Sequence, residues 1–159
     1  GGFPLTAVAG KSELMKHFDS DGVVQEDFMP QIGTLSGNPV ACAAGLAVLD
    51  ILRKPGTYER TFEVGKKLMA SLQEILDQVK VPAKVIGEPV LFDVFFSSEE
   101  IYDYRSSIRA DREMLNKFNS LMLENGILKG TTKFYFSTEH DQFDVQATIK
   151  AFQAASSRL

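Results

Sequence analysis

The run Gly33-Thr34-Leu35-Ser36-Gly37-Asn38-Pro39 is the stretch of this sequence best suited to meeting a phosphate. Its glycines let a backbone approach a ligand closely, and Thr34 sets a hydroxyl beside its own amide. Asn38 is a natural helix cap and Pro39 fits a first helical turn, so the run leads into a helix. The same residues also make an ordinary loop before a capped helix. On residue chemistry alone that plainer reading is the stronger one, because short Gly-rich turns are common.

The other chemistry-bearing side chains point to structure. His17 and His140 are far apart in the chain, and neither has a second ligand one helical turn away, so they read as surface or capping histidines and not as a metal pair. Glu99 and Glu100 are adjacent, which points their carboxylates apart in a polar loop, solvated and unpaired. Cys42 sits in an Ala-rich run without a nearby His or Lys and reads as a small buried hydrophobe. Phe92, Phe95 and Phe96, and then Phe134, Tyr135 and Phe136, fit alternating strand faces, hence packing.

The elements that position these residues follow from apolar period and punctuation. Residues 5–9 are apolar and bracketed by Pro4 and Gly10, as a buried strand would be, and Ser12 is placed to cap a short helix through Phe18. Residues 19–30 form a polar loop that returns to the core at Ile32. A helix runs from the Asn38 cap to Leu52, and Lys54-Pro55-Gly56 stops it. The next helix, over 58–79, carries Gly65, Leu68, Met69, Leu72, Ile75, Leu76 and Val79 on one stripe. Residues 84–96 read as two adjacent strands separated by Gly87 and Pro89, and 98–107 as a polar loop. Ile108, Leu115, Phe118, Leu121 and Met122 then line a helix closed by Asn125-Gly126. A strand over 133–137 and a helix capped by Asp141, with Val145, Ile149 and Phe152 inward and a tail fraying at Ser156, complete the chain.

That order makes residues 81–159 a small α+β domain with helices on one face of a mostly antiparallel sheet. Residues 1–55 hold too few strands to make a parallel sheet of their own, and they predict apolar surface around 5–8 and 46–52 that lacks cover. With 159 residues, 44% of them hydrophobic, there is material for one ordinary core. A net charge of -4 without a dense Lys/Arg run argues against a nucleic-acid partner. The longest apolar run, 40–52, is interrupted by Asp50 and too short for a bilayer, so no membrane is expected and a cytoplasmic setting is. One cysteine permits no internal disulfide. Opening on Gly1-Gly2-Phe3-Pro4 without an initiator Met suggests a chain continued from something longer.

Taken in order, several segments resemble the class III pyridoxal-phosphate-dependent aminotransferases, and within them the glutamate-1-semialdehyde aminomutases. Residues 1–10 look like the tail of a Gly-rich stretch that follows the cofactor lysine in that family. Gly33-Thr34 with Gly37-Asn38-Pro39 matches its "GT-x-x-GNP" turn, followed by the Ala-rich helix. Residues 91–96, Asp103-Tyr104, Arg109-Ala110-Asp111, 122–126, Phe136-Ser137 and His140 continue the likeness over nearly the whole chain. The resemblance implies a fold-type-I α/β enzyme with three parts here. Residues 1–55 would be the end of the large cofactor domain, 56–80 a connecting helix, and 81–159 the small C-terminal α+β domain that helps close the active site.

The resemblance also implies pyridoxal phosphate as cofactor and a homodimer in which Gly33 and Thr34 reach the phosphate bound by the partner subunit. The Schiff-base lysine is expected a few residues before Gly1, so no residue of this chain is expected to be catalytic, and Lys11 matches only a peripheral basic position. An amino acid or amino-aldehyde is the implied substrate, handled by transamination or by aminomutase isomerisation. Between Gly126 and His140 the chain is shorter than the aminomutase pattern, with Lys129-Gly130-Thr131-Thr132-Lys133 in place of its usual residues on what the family makes the substrate side. A β- or ω-amino-acid transaminase is therefore the rival reading, and a non-catalytic α+β interaction module the rival from another class.

Overall fold

A computed structural model describes residues 2–159, and its backbone divides into two compact units between Lys54 and Pro55. In the first unit, α1 (Ser12–Met15) continues into a tighter turn at Lys16–Phe18, and a second such turn lies at Gln25–Asp27. The helix is therefore where the sequence predicts it, but Lys11, not Ser12, holds the cap position. Residues 5–9 are not a strand. No described segment offers them a ladder partner, and an isolated strand leaves its amides and carbonyls unpaired. The Leu5 amide instead turns back to the Phe3 carbonyl at 2.8 Å.

Helix α2 (Pro39–Leu52) starts where the Asn38 side chain accepts from the Val40 and Ala41 amides at 3.0 and 3.1 Å. Leu5 lies over it at Gly45, where an added Cβ would stand 2.2 Å from Leu5 Cδ2. Only Ala41 is buried among the described residues of this unit, while Cys42 is half-buried. Leu46, Leu49 and Ile51 remain exposed on a helix whose one charged residue is Asp50, the uncovered apolar surface that composition foretold. No helix among the described residues is long and apolar enough to cross a membrane.

The second unit holds the core. Helix α3 (Thr57–Gln78) precedes a hairpin of β1 (Lys84–Glu88) and β2 (Leu91–Phe95), antiparallel with Lys84 opposite Phe95 and Glu88 opposite Leu91. Then follow α4 (Tyr104–Ser107), α5 (Arg112–Glu124), β3 (Phe134–Tyr135) and α6 (Gln142–Ser156). β3 pairs antiparallel with the outer side of β2, giving the order β1-β2-β3. Because strand side chains alternate, Phe92, Val94 and Phe96 share one face with Phe134, and α3, α5 and α6 cover it with Leu68, Leu72, Leu76, Phe118, Met122 and Phe152. The Phe92 and Phe134 rings stack at 5.0 Å, and Phe152 meets Phe134 edge-on at 5.6 Å. Each such fully buried ring stabilises by about 2 kcal/mol through area alone.

Four expectations change in this unit. The polar stretch 98–107 contains α4, nucleated by a capping box in which Asp103 Oδ1 accepts the Ser106 amide at 2.7 Å and Ser106 Oγ accepts the Asp103 amide. Ile108 thus terminates α4 and is exposed instead of joining the α5 stripe, which begins after the Asp111 cap. The tail does not fray: Ser156 is buried, Leu159 packs on the core, and Lys117 Nζ donates to the Leu159 carbonyl. The strand expected at 133–137 shrinks to Phe134–Tyr135, where the chain leaves the sheet edge for the preceding loop.

Candidate functional site

The turn at 33–38 is built by two short backbone bonds, Ser36 N–H to the Gly33 carbonyl at 3.0 Å and Asn38 N–H to the Leu35 carbonyl at 3.1 Å. Gly37, at φ +70°, takes the left-handed conformation that closes it. Gly33 is tight for a different reason, since a Cβ there would lie 2.8 Å from the Ser36 hydroxyl oxygen. The Asn38 side chain, occupied with the first amides of α2, fixes the exit of the turn onto the helix. Among the described residues, none bonds the hydroxyls of Thr34 or Ser36 or the amides of Gly33, Thr34, Leu35 and Gly37. Thr34 is exposed, and the turn borders an open cavity of about 640 Å³ that Phe3, Leu5, Thr6 and Gln31 also line.

The donors of this turn are neutral, with no Lys or Arg in the cavity wall. The unpaired amides of the turn still favour an anion, since they lie just ahead of α2, on the side towards which the positive ends of the helix's peptide dipoles point. The structure thus brings Gly33 and Thr34 together in one turn and adds the Ser36 hydroxyl, which residue types alone did not single out.

The other candidates settle into structural roles. His17 Nδ1 meets the Asp27 carbonyl at 2.9 Å, and His140 Nδ1 accepts the Ser137 amide at 3.1 Å. Glu99 pairs with Arg109 at 3.1 Å and Glu100 with Lys84 at 3.0 Å, so the adjacent carboxylates diverge and are ion-paired on the surface. No group of three His, Cys, Asp or Glu able to hold a metal occurs among the described residues. The Asp103 carboxyl is held below its ordinary range by the Ser106 amide it caps. Asp93 is pushed above its range by burial, against the pull of Lys129. That second pair escaped the sequence reading, although a charged residue inside the apolar run Leu91-Phe92-Asp93-Val94-Phe95 was its signal.

The sequence profile of the class-III aminotransferases matches residues 1–136. A glutamate-1-semialdehyde 2,1-aminomutase of Methanosphaera stadtmanae is 32% identical over 162 residues, an alignment that takes in 100% of this chain and 37% of that protein. Among solved structures, an omega-transaminase from Sphaerobacter thermophilus superposes with a TM-score of 0.80 at 29% identity, over 93% of this chain and 34% of the other. A transaminase with PLP bound follows at TM-score 0.75 and 25% identity, over 94% and 34%. The chain spans a little over a third of the length of such a relative, at 37%. From its profile match and these likenesses, the chain belongs to the class-III aminotransferase family.

Proposed function

We propose that this chain supplies the phosphate-contacting turn and the small domain of a pyridoxal-phosphate-dependent aminotransferase or aminomutase, similar to glutamate-1-semialdehyde 2,1-aminomutase. Gly33 and Thr34 contact the cofactor phosphate, in trans, within a homodimer. Residues 1–55 belong to the large domain, 56–80 connect, and 81–159 form the small domain. The substrate is an amino acid or amino-aldehyde and the setting cytoplasmic.

The observation that carries the reading is the set of free donors in one exposed turn: the Thr34 hydroxyl with its own amide and those of Gly33, Leu35 and Gly37. These residues fit a phosphate. Gly33 leaves room for close approach where a Cβ would already crowd the Ser36 oxygen, and unpaired amides with hydroxyls are the donors that phosphate oxygens accept. When bound, the cofactor supplies the electron-withdrawing ring on which amino-group chemistry depends. The chain's own part is to bind and orient: Thr34 donates, Gly33 yields space, and Asn38 keeps the turn aligned on α2. No lysine of this chain is assigned the covalent role, so the chain alone transfers no amino groups.

A β- or ω-amino-acid transaminase is the second reading. It is favoured by the altered segment 129–133, whose Lys129 lies against Asp93.

The test is a titration of the isotopically labelled chain with pyridoxal phosphate, inorganic phosphate and pyridoxal. Both phosphate-bearing probes are expected to shift the Thr34, Leu35 and Gly37 amides saturably, pyridoxal is not, and Thr34→Ala is expected to weaken the response. Absence of saturable shifts at these amides up to millimolar phosphate probe, or a stoichiometric borohydride-fixed adduct on one lysine of this chain, defeats the assignment.

A further inference from the structure

Asp93 stands mid-strand in β2 between the core-facing Phe92 and Val94, with a side chain only 6% exposed. The loop after α5 brings Lys129 to it, its side chain fully buried and its Nζ 2.8 Å from Asp93 Oδ1. The ammonium also donates to the Gly130 carbonyl at 3.1 Å and lies 5.0 Å from the centre of the Phe134 ring. Lys129 is thus the partner that Oδ1 has among the described residues. Burial raises the Asp93 carboxyl in spite of Lys129 and the more distant Lys133. Taking two charges out of water is costly, so a buried pair of this kind is a weak device for stability.

The neighbouring residues show what it is good for. Ile127 packs on the core, Leu128 is 86% exposed, and Lys129 is inside again. Exposure alternates over these three residues, so a shift of one position would bury Leu128 and return Lys129 to water. Hydrophobic burial and ion solvation both favour the slipped arrangement. The observed one needs a specific attraction at Asp93.

We propose that the Asp93–Lys129 pair is a register lock, selecting which of two adjacent side chains is buried and so enclosing Lys129 while Leu128 stays exposed at the rim of a cavity that both line. That cavity, of about 370 Å³, is bounded also by Tyr135, Phe136, His140 and Thr148. The lock sets the shape of this wall and the display of Leu128, and it does so independently of any cofactor.

The experiment is lysine acylation with acetic anhydride, read by mass spectrometry on the full chain, with hydrogen exchange at the Phe95 amide, opposite Lys84 in the β1–β2 ladder, reporting the sheet. In the unchanged chain Lys129 is expected to label roughly tenfold more slowly than exposed Lys133, because a buried amine reacts only through local opening. In Asp93→Leu, and in the shape-preserving Asp93→Asn, the gap closes while Phe95 stays protected, and the Leu128 methyl signals move as they come against the Phe134 and Phe136 rings. Continued protection of Lys129 in both variants overturns the proposal. Loss of Phe95 protection, or failure of the variants to fold, overturns it equally, since the pair would then be holding the domain together and not choosing a register.

Discussion

A Cβ placed on Gly65 would lie 1.8 Å from the carbonyl oxygen of Pro89, so α3 rides directly on the turn of the β1–β2 hairpin. That contact is backbone against backbone position, with no flexible side chain to give way. Gly65→Ala gains about 1 kcal/mol of helix propensity. It loses about 3 kcal/mol or more as α3 is levered off the hairpin. The net expectation is destabilisation by about 2 kcal/mol or more in urea unfolding. An unchanged or raised midpoint contradicts the tight crossing.

Gln73 joins the same helix to the start of β1. Its Oε1 accepts the Val85 amide at 3.0 Å, and its Nε2 donates to the Ala83 carbonyl at 3.1 Å and to Asp77 at 2.9 Å. Gln73→Leu keeps the volume but leaves a strand amide and a carbonyl unpaired, at about 2 kcal/mol. Faster hydrogen exchange at Val85 should accompany the lower midpoint. A stable variant with Val85 still protected means that other groups satisfy the strand end.

How much of this was legible in the sequence depends on how far apart the deciding residues lie. The Asn38-Pro39 start of α2 and the Gly126 end of α5 are written locally, because caps act within one turn. Phe92, Phe95 and Phe96 mark β2 as a packed strand, and the structure puts Phe92 and Phe96 with Val94 on its core face. Residues 5–9 have the composition of a strand, but strand formation needs a partner, and no described residue provides one. Cys42 and Ala41 are both small candidates for burial in the same helix, and the structure buries Ala41 and leaves Cys42 half-buried. In the site, Gly33 and Thr34 were visible as residue types, whereas the part of Ser36 appears only when the turn folds it against Gly33. The Asp93–Lys129 pair joins two elements with α4 and α5 between them, a separation no local pattern spans.

Two carboxyls make opposite contributions to the pH dependence of stability. Asp103, held low by the Ser106 amide, contributes stability that is present above the ordinary carboxyl value of 3.8 and lost as pH falls through its depressed one. Asp93, raised by desolvation, binds its proton more tightly folded than unfolded. Its contribution therefore improves as pH falls through the raised value towards 3.8 and worsens as pH rises. Thermal midpoints measured from neutral to acid should show the unchanged chain gaining on Asp93→Asn as pH drops, and losing its advantage over Asp103→Ala. Parallel curves for all three proteins rule out these assignments.

The apolar surface of α2 makes the last prediction. Leu46, Leu49 and Ile51 are exposed on a helix with a single acidic residue, and Leu5 and Val8 beside it in sequence order are exposed as well. Such a helix, apolar on every side, is at home only when enclosed. With Ala41 the one buried residue in the described part of this unit, nothing within it supplies the enclosure. Contiguous apolar surface of this kind drives association in water. The chain should therefore sediment as a concentration-dependent oligomer and enhance the fluorescence of a hydrophobic dye. Leu46→Glu with Leu49→Lys should shift it towards monomer and lower the dye signal, while the core amides of β2, which belong to the other unit, keep their protection. A monodisperse monomer that binds no dye before any substitution would show that the face is already covered.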